Sequence, residues 1–165
     1  MSLRSFLDMT LRWEHTSDLD FSTVRDNGQL VLSDEFTDGL IIDKADKKFT
    51  DRRTLAAAVD NLDLAGGLTD AFGVVLTFAK IKAIVIHNLS VVVGENLTIG
   101  GHATAAFPLF SDVTDKYVLG PNGIFFLWEP SLAGKPVTAG TGDILKIDPG
   151  AATIQYDIVI IGTSA

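Results

Sequence analysis

The sequence has no cysteine. That absence removes a disulfide framework and any thiolate metal site. Basic charge is also scarce: 13 Lys and Arg stand against 21 Asp and Glu, for a net charge of −8. Phosphate neutralisation needs clustered cations, so a nucleic-acid face is not expected. The short pairs Lys47-Lys48 and Arg52-Arg53 read as solvated surface. No run approaches the roughly 20 apolar residues of a membrane span, so no membrane partner is expected either. The opening Met1-Ser2-Leu3-Arg4-Ser5-Phe6 lacks the unbroken apolar core of a signal peptide. Synthesis in a cytoplasm with no export address is the expectation. The two Asn-x-Ser/Thr matches, at Asn88 and Asn96, then read as strand-end turns rather than glycan acceptors.

The chain is organised around Lys80–Asn88. Strand alternation places Lys80, Lys82, Ile84 and Ile86 on one side, and Ile81, Ala83, Val85 and His87 on the other. From Ala83 to Ile86 both sides are apolar, as in a strand that starts at a rim and enters a place dry on both faces. Its natural partner is the stretch from Ile154 to Gly162, where Ile158-Val159-Ile160-Ile161 is again apolar on both faces. Between and around them, short strands recur with Gly and Pro punctuation. They are expected near Asp60–Leu64, Val74–Phe78, Asn96–Ile99, Lys116–Leu119, Ile124–Trp128, Pro136–Thr138 and Ile144–Asp148. Thr54–Val59 reads as a further strand, Leu68–Phe72 as one helical turn, and Pro121-Asn122-Gly123 as a tight turn. This rhythm implies an all-β fold, a β-sandwich or jelly-roll-like body.

The first 48 residues differ from the rest. They are dense in charge and short of regular alternation, and they read as an irregular N-terminal arm or docking segment. Residues 49–165 form the β-sandwich domain. Leu3, Phe6, Leu7 and Leu11 fit one side of a short helix or an extended arm, and their spacing does not decide between the two. Asp26-Asn27-Gly28 is a turn signal, with Phe21–Val24 and Gln29–Leu32 as flanks of a hairpin. Such a segment buries little by itself, so order is expected to come from contact with another surface.

Catalytic patterns are missing. There is no GxGxxG, GxxxxGK[ST] or GxSxG motif. His15, His87 and His102 have no metal-ligand spacing. His87 reads as a rim histidine bonded to backbone. The carboxylate pairs Asp60/Asp63 and Asp112/Asp115 read as turn caps rather than calcium ligands. Adjacent Asp34 and Glu35 point opposite ways on an extended chain, which disfavours an acid–base pair. No enzyme activity, cofactor or metal is expected. Trp128 and Tyr117 on neighbouring strands would form a sugar-stacking shelf, but burial in a core or subunit interface is the preferred reading. The candidate partner-binding residues are Phe6, Leu7, Leu11 and Trp13 in the arm, and Phe107 and Phe110 on a Pro-containing loop.

Several stretches carry a family resemblance. They are Leu62–Gly73, Leu76–Asn88, Leu97–Gly101, Gly142–Ile147 and Tyr156–Gly162. Together, over about the last two thirds of the chain, they resemble small virion structural proteins of tailed bacteriophages. The resemblance implies a capsid decoration (cement) protein on the capsid surface of the virion, made in the bacterial host cytoplasm. It would bind the major capsid protein and itself, as a homotrimer. A tail, baseplate or fibre component and a glycan-binding jelly-roll module are the alternatives.

Overall fold

The structure is a computed structural model and describes residues 2–165. Among them are thirteen strands and no helix, so no helix is long and apolar enough to cross a membrane. The strands are β1 (Ser5–Leu19), β2 (Ser22–Phe36), β3 (Lys47–Ala56), β4 (Asp60–Asp63), β5 (Leu68–Thr69), β6 (Val75–Leu76), β7 (Lys80–Asn88), β8 (Leu97–Gly100), β9 (Lys116–Leu119), β10 (Ile124–Trp128), β11 (Lys135–Pro136), β12 (Ile144–Asp148) and β13 (Thr153–Thr163).

Two sheets form a β-sandwich-like body. One runs β10-β7-β13-β3, with β11 beside the start of β7; the other runs β4-β12-β8-β9. The all-β expectation therefore holds, and β7 and β13 sit at the centre of the larger sheet as paired neighbours. Their inner faces contribute Ile84, Ile86, Ile158 and Ile160 to the core. Leu62, Leu97, Ile99, Leu145 and Ile147 meet them from the opposing sheet. At about 25 cal/mol per Å2 of apolar surface, such burial is the main term holding the body together.

Along β7 the two faces do not alternate evenly. Ala83 pairs with Ile161, but Ile81 pairs with Gly162, so Lys82 is an extra residue without a partner on β13. This β-bulge shifts the alternation by one. Ile81 thereby joins Ile84 and Ile86 in the core, while Ala83, Val85 and His87 face outward. The strands come so close here that a Cβ on Gly162 would strike the Lys80 carbonyl oxygen. Lys82 does not lie on an exposed rim; it is buried, and its ammonium donates to the Ser131 carbonyl. Burial, and then the neighbouring Lys80 charge, lower its pKa.

Asn88 closes β7. Its amide nitrogen donates to the carbonyls of Glu95 at 2.9 Å and Gly120 at 3.0 Å, and its oxygen accepts from the Ser90 amide at 3.0 Å. The residue is fully buried. Asn88 thus ties two loops, β7–β8 and β9–β10, to the strand end, in keeping with its reading as a turn residue.

Other local readings change. Leu68–Phe72 is not a helical turn: Leu68 and Thr69 pair with Leu76 and Val75 in a small hairpin. Pro136 pairs in β11, and the short strand begins one residue earlier than expected. In the turn at Pro121-Asn122-Gly123 the left-handed residue is Asn122, with φ 53°.

The largest difference lies in the arm. Instead of being irregular, it is a regular antiparallel ribbon, with Ser5 opposite Phe36 and Leu19 opposite Ser22. Leu3 to Leu11 form no helix. The hairpin turn is Asp20-Phe21, and Asn27-Gly28 lies inside β2. Fifteen residues per strand, at about 3.4 Å each, make the ribbon about 50 Å long.

Candidate functional site

Residues opposite each other on paired strands share a face. The ribbon therefore has one side carrying Leu7, Met9, Leu11 and Trp13 of β1 with Leu30 and Leu32 of β2. The other side is mainly polar, with Phe6 and Val31 as its exposed apolar residues. There Ser33 donates to Asp8 at 2.9 Å, Thr23 donates to Asp18 at 2.9 Å, and Arg25 lies 3.8 Å from Glu14. Near the base Arg4 bonds Glu35 at 2.6 Å, which holds the Glu35 carboxyl below the usual carboxylate range. The ribbon is amphipathic, and its polar side carries several intrachain bonds.

The apolar side has no such cover. Leu11 is 61% exposed, Trp13 46% and Leu30 49%. The tip carries Leu19 and a wholly exposed Phe21. An isolated two-stranded hairpin is marginal in water, and an uncovered apolar face is a mark of an interaction site.

The ribbon is rooted on the outside of the larger sheet. Phe36, at the end of β2, stacks on Trp128 with ring centroids 4.1 Å apart. Trp128 donates its indole N–H to Asp34 at 2.6 Å. Both Asp34 and Phe36 lie on the apolar side of the ribbon, by their register opposite Leu7 and Ser5. Phe36, Ala45, Ala83 and Ile161 form a second buried cluster, with Leu3, Trp128 and Val159 packed against it. Beyond it the outer sheet face continues as the row Phe126, Val85 and Val159, and then Ile124. Phe126 and Ile124 are exposed. The apolar side of the ribbon and the outer sheet face thus meet at Trp128.

No protein-family model, curated protein or solved structure matches the chain.

The candidate residues chosen from sequence fall into two groups. Leu7, Leu11 and Trp13 share the uncovered side of the ribbon. Phe6 lies on the polar side, with the Arg4 guanidinium 4.9 Å from its ring centroid. Phe107 and Phe110 are not held out as anchors. Phe107 is 3% exposed, because Ala106 bridges to Ile144 and the Phe107 amide donates to the Ile144 carbonyl, pulling the loop into the body. Phe110 packs on Phe125 and Tyr117 at 5.6 and 6.2 Å. Met9, Leu30 and Leu32 were missed by sequence reasoning, although period-two alternation from Leu7 to Trp13 signals them.

Several other polar residues have structural partners. His87 bonds Asn122 at 3.3 Å, a side chain rather than backbone. Asp60 accepts from Tyr156 at 2.7 Å and from Arg53 at 2.8 Å. Burial, reinforced by that bond to Asp60, pushes the Tyr156 phenol far up. Asp63 accepts from the Ala65 amide, and Asp112 from the Thr114 amide and hydroxyl, as turn caps do. Among the described residues no group of three or more His, Asp or Glu converges in the manner of a metal site. Tyr117 and Trp128 lie on different sheets and form no common shelf.

Proposed function

We propose that this chain is a structural protein of a tailed-phage virion, a non-catalytic capsid decoration protein. In this reading it binds the major capsid protein, works as a homotrimer on the capsid surface and stabilises the head. It is made in the host cytoplasm and reaches the particle by assembly. A jelly-roll form of the sandwich belongs to the same proposal.

One observation carries the reading. A ribbon about 50 Å long leaves a well-packed β body with its apolar side uncovered. Burying Leu11, Trp13 and Leu30 is favourable, and only a surface outside this copy of the chain can do it. A protein so built gains stability by joining an assembly, which is what a cement protein does. The opposite sign of the effect is also useful: the shell gains the free energy released when this face is covered.

The test uses expanded phage heads that lack this chain. They are mixed with the purified protein and pelleted. Saturable co-sedimentation, at a stoichiometry set by the capsid lattice, together with a rise in the melting temperature of the heads, is expected. Failure to pellet with heads at micromolar concentration contradicts the proposal.

A further inference from the structure

We propose that the uncovered side of the ribbon docks on a second copy of this chain, across the outer face of that copy's larger sheet beside β3. This deepens the proposed function by naming the first surface the ribbon meets, and its test needs no capsid.

Area is the first argument. The ribbon face is about 50 Å long and two strands wide, on the order of 500 Å2. Ribbon-on-ribbon packing would bury only that much per copy, below the roughly 600–1,000 Å2 per partner of specific interfaces. The part of the outer sheet face left free beyond Trp128 spans four strands and two to three register rows, on the order of 350 Å2. When each copy gives a ribbon and receives one, each contact covers about as much ribbon as the sheet face offers. Each copy then buries about 350 Å2 of ribbon and about 350 Å2 of sheet, about 700 Å2 in all, within the roughly 600–1,000 Å2 per partner of specific interfaces.

Charge is the second argument. Residues 4–36 carry three arginines against seven carboxylates, net −4. Strand β3 carries Lys47, Lys48, Arg52 and Arg53 against Asp51; Arg52 is paired with Asp157 and Arg53 with Asp51 and Asp60, which leaves Lys47 and Lys48 as its uncompensated charges in a protein of net charge −8. β3 is also the edge of its sheet, with one side of its backbone unpaired. On its outward face lie Lys48 and Arg52. Lys47 and Lys48 have no ion-pair partner among the described residues. A ribbon of net −4 and a sheet edge with unpaired Lys47 and Lys48 attract one another at long range, and the row Phe126, Val85 and Val159 supplies the apolar contact.

The joint inside each chain shows the same chemistry at work. Phe36 and Asp34, on the same side of the ribbon as Leu11, already pack on this sheet face through Trp128. The intermolecular contact repeats that chemistry further along the ribbon and further across the sheet.

Two exposed substitutions separate the partners. Leu11→Asp spoils the ribbon face, and Phe126→Asp spoils the sheet face. Full-length chains are studied by sedimentation equilibrium, with far-UV circular dichroism to check folding. The wild type is expected to form a closed oligomer at micromolar concentration. Each variant is expected to dissociate to monomers, with at least a hundredfold weaker association. An equimolar mixture of the two variants is expected to associate more tightly than either variant alone but more weakly than the wild type, because one intact ribbon still meets one intact sheet face. A wild type that stays monomeric overturns the proposal. So does dissociation by Leu11→Asp with no effect of Phe126→Asp, which would indicate ribbon-on-ribbon packing. Should either variant fail to fold, the cysteine-free chain allows a second route. Singly substituted Leu11→Cys and Phe126→Cys chains are mixed and oxidised. Heterologous disulfide dimers in excess over both homodimers support the contact, and a preponderance of Leu11→Cys homodimers contradicts it. Oligomers that form but fail to bind heads would leave this inference standing and remove the capsid reading.

Discussion

The indole of Trp13 lies across the backbone of Gly28, its partner on the neighbouring strand. A Cβ at position 28 would collide with the ring. Gly28 is there because the tryptophan needs a flat seat, and the pair gives the ribbon a smooth apolar plate in mid-length. Gly28→Val is therefore expected to lift Trp13 off the strand. Amide exchange in β1 and β2 should accelerate on the order of tenfold, the equivalent of about 1 kcal/mol of local stability. The body should melt as before. Hydrogen exchange by mass spectrometry reads both; unchanged ribbon protection would contradict the role given to Gly28.

The joint between ribbon and body rests on Trp128, stacked on Phe36 and bonded to Asp34. Trp128→Phe keeps a ring for the stack and loses the hydrogen bond. Asp34→Asn weakens the same bond from the other side. Each is expected to cost about 1–2 kcal/mol, and the double variant little more than either alone, because the two changes remove one interaction. Urea denaturation of the four proteins in this cycle checks it. Full additivity would mean that the bond contributes nothing.

The buried Tyr156 phenol, bonded to Asp60, has a pKa raised above its ordinary value of about 10. The folded protein holds this proton where the unfolded chain releases it. The associated stability is complete below about pH 10 and is lost as the pH rises further. Tyr156→Phe is expected to cost about 1–2 kcal/mol at neutral pH and to flatten the alkaline loss. Lys82 acts oppositely at high pH, since its lowered pKa favours the neutral amine in the fold. Comparing wild type with Tyr156→Phe across pH 7 to 11 cancels that contribution. Parallel curves would contradict the assignment.

Asn88 spends its amide protons on loop carbonyls. Asn88→Asp keeps the shape, removes both donors and turns a buried negative charge toward carbonyl oxygens. A loss of about 3–5 kcal/mol is expected, measured by chemical denaturation. A cost under about 1 kcal/mol would show that water replaces the amide.

The body is legible in the sequence for a physical reason. β7 and β13 are apolar on both faces where they run through the centre, one face packing in the sandwich core and the other, at Ala83 and Ile161, under Phe36 and Trp128 at the root of the ribbon. The bulge at Lys82 is not legible, because a buried lysine satisfied by the Ser131 carbonyl looks in sequence like a lysine on a rim. The arm misleads in two ways. Leu3, Phe6, Leu7 and Leu11 happen to fall at helical spacing, which masks the period-two series Leu7, Met9, Leu11 and Trp13. Its true turn, Asp20-Phe21, takes no positive φ and so carries no glycine signal, while Asn27-Gly28 advertises a turn that Trp13 has claimed for packing. Phe107 and Phe110 look like loop anchors because no local pattern records that their loop is pulled in by Ile144.

The central claim is that this chain acts by being covered, as part of a larger shell. A cryo-EM map of the native particle tests it most directly. The account predicts the β body repeated over the outer surface of the head, with Leu11, Trp13 and Leu30 of each ribbon buried against a neighbour. Finding the chain at a single tail vertex, or finding it on the shell with the ribbon standing free in solvent, would contradict it.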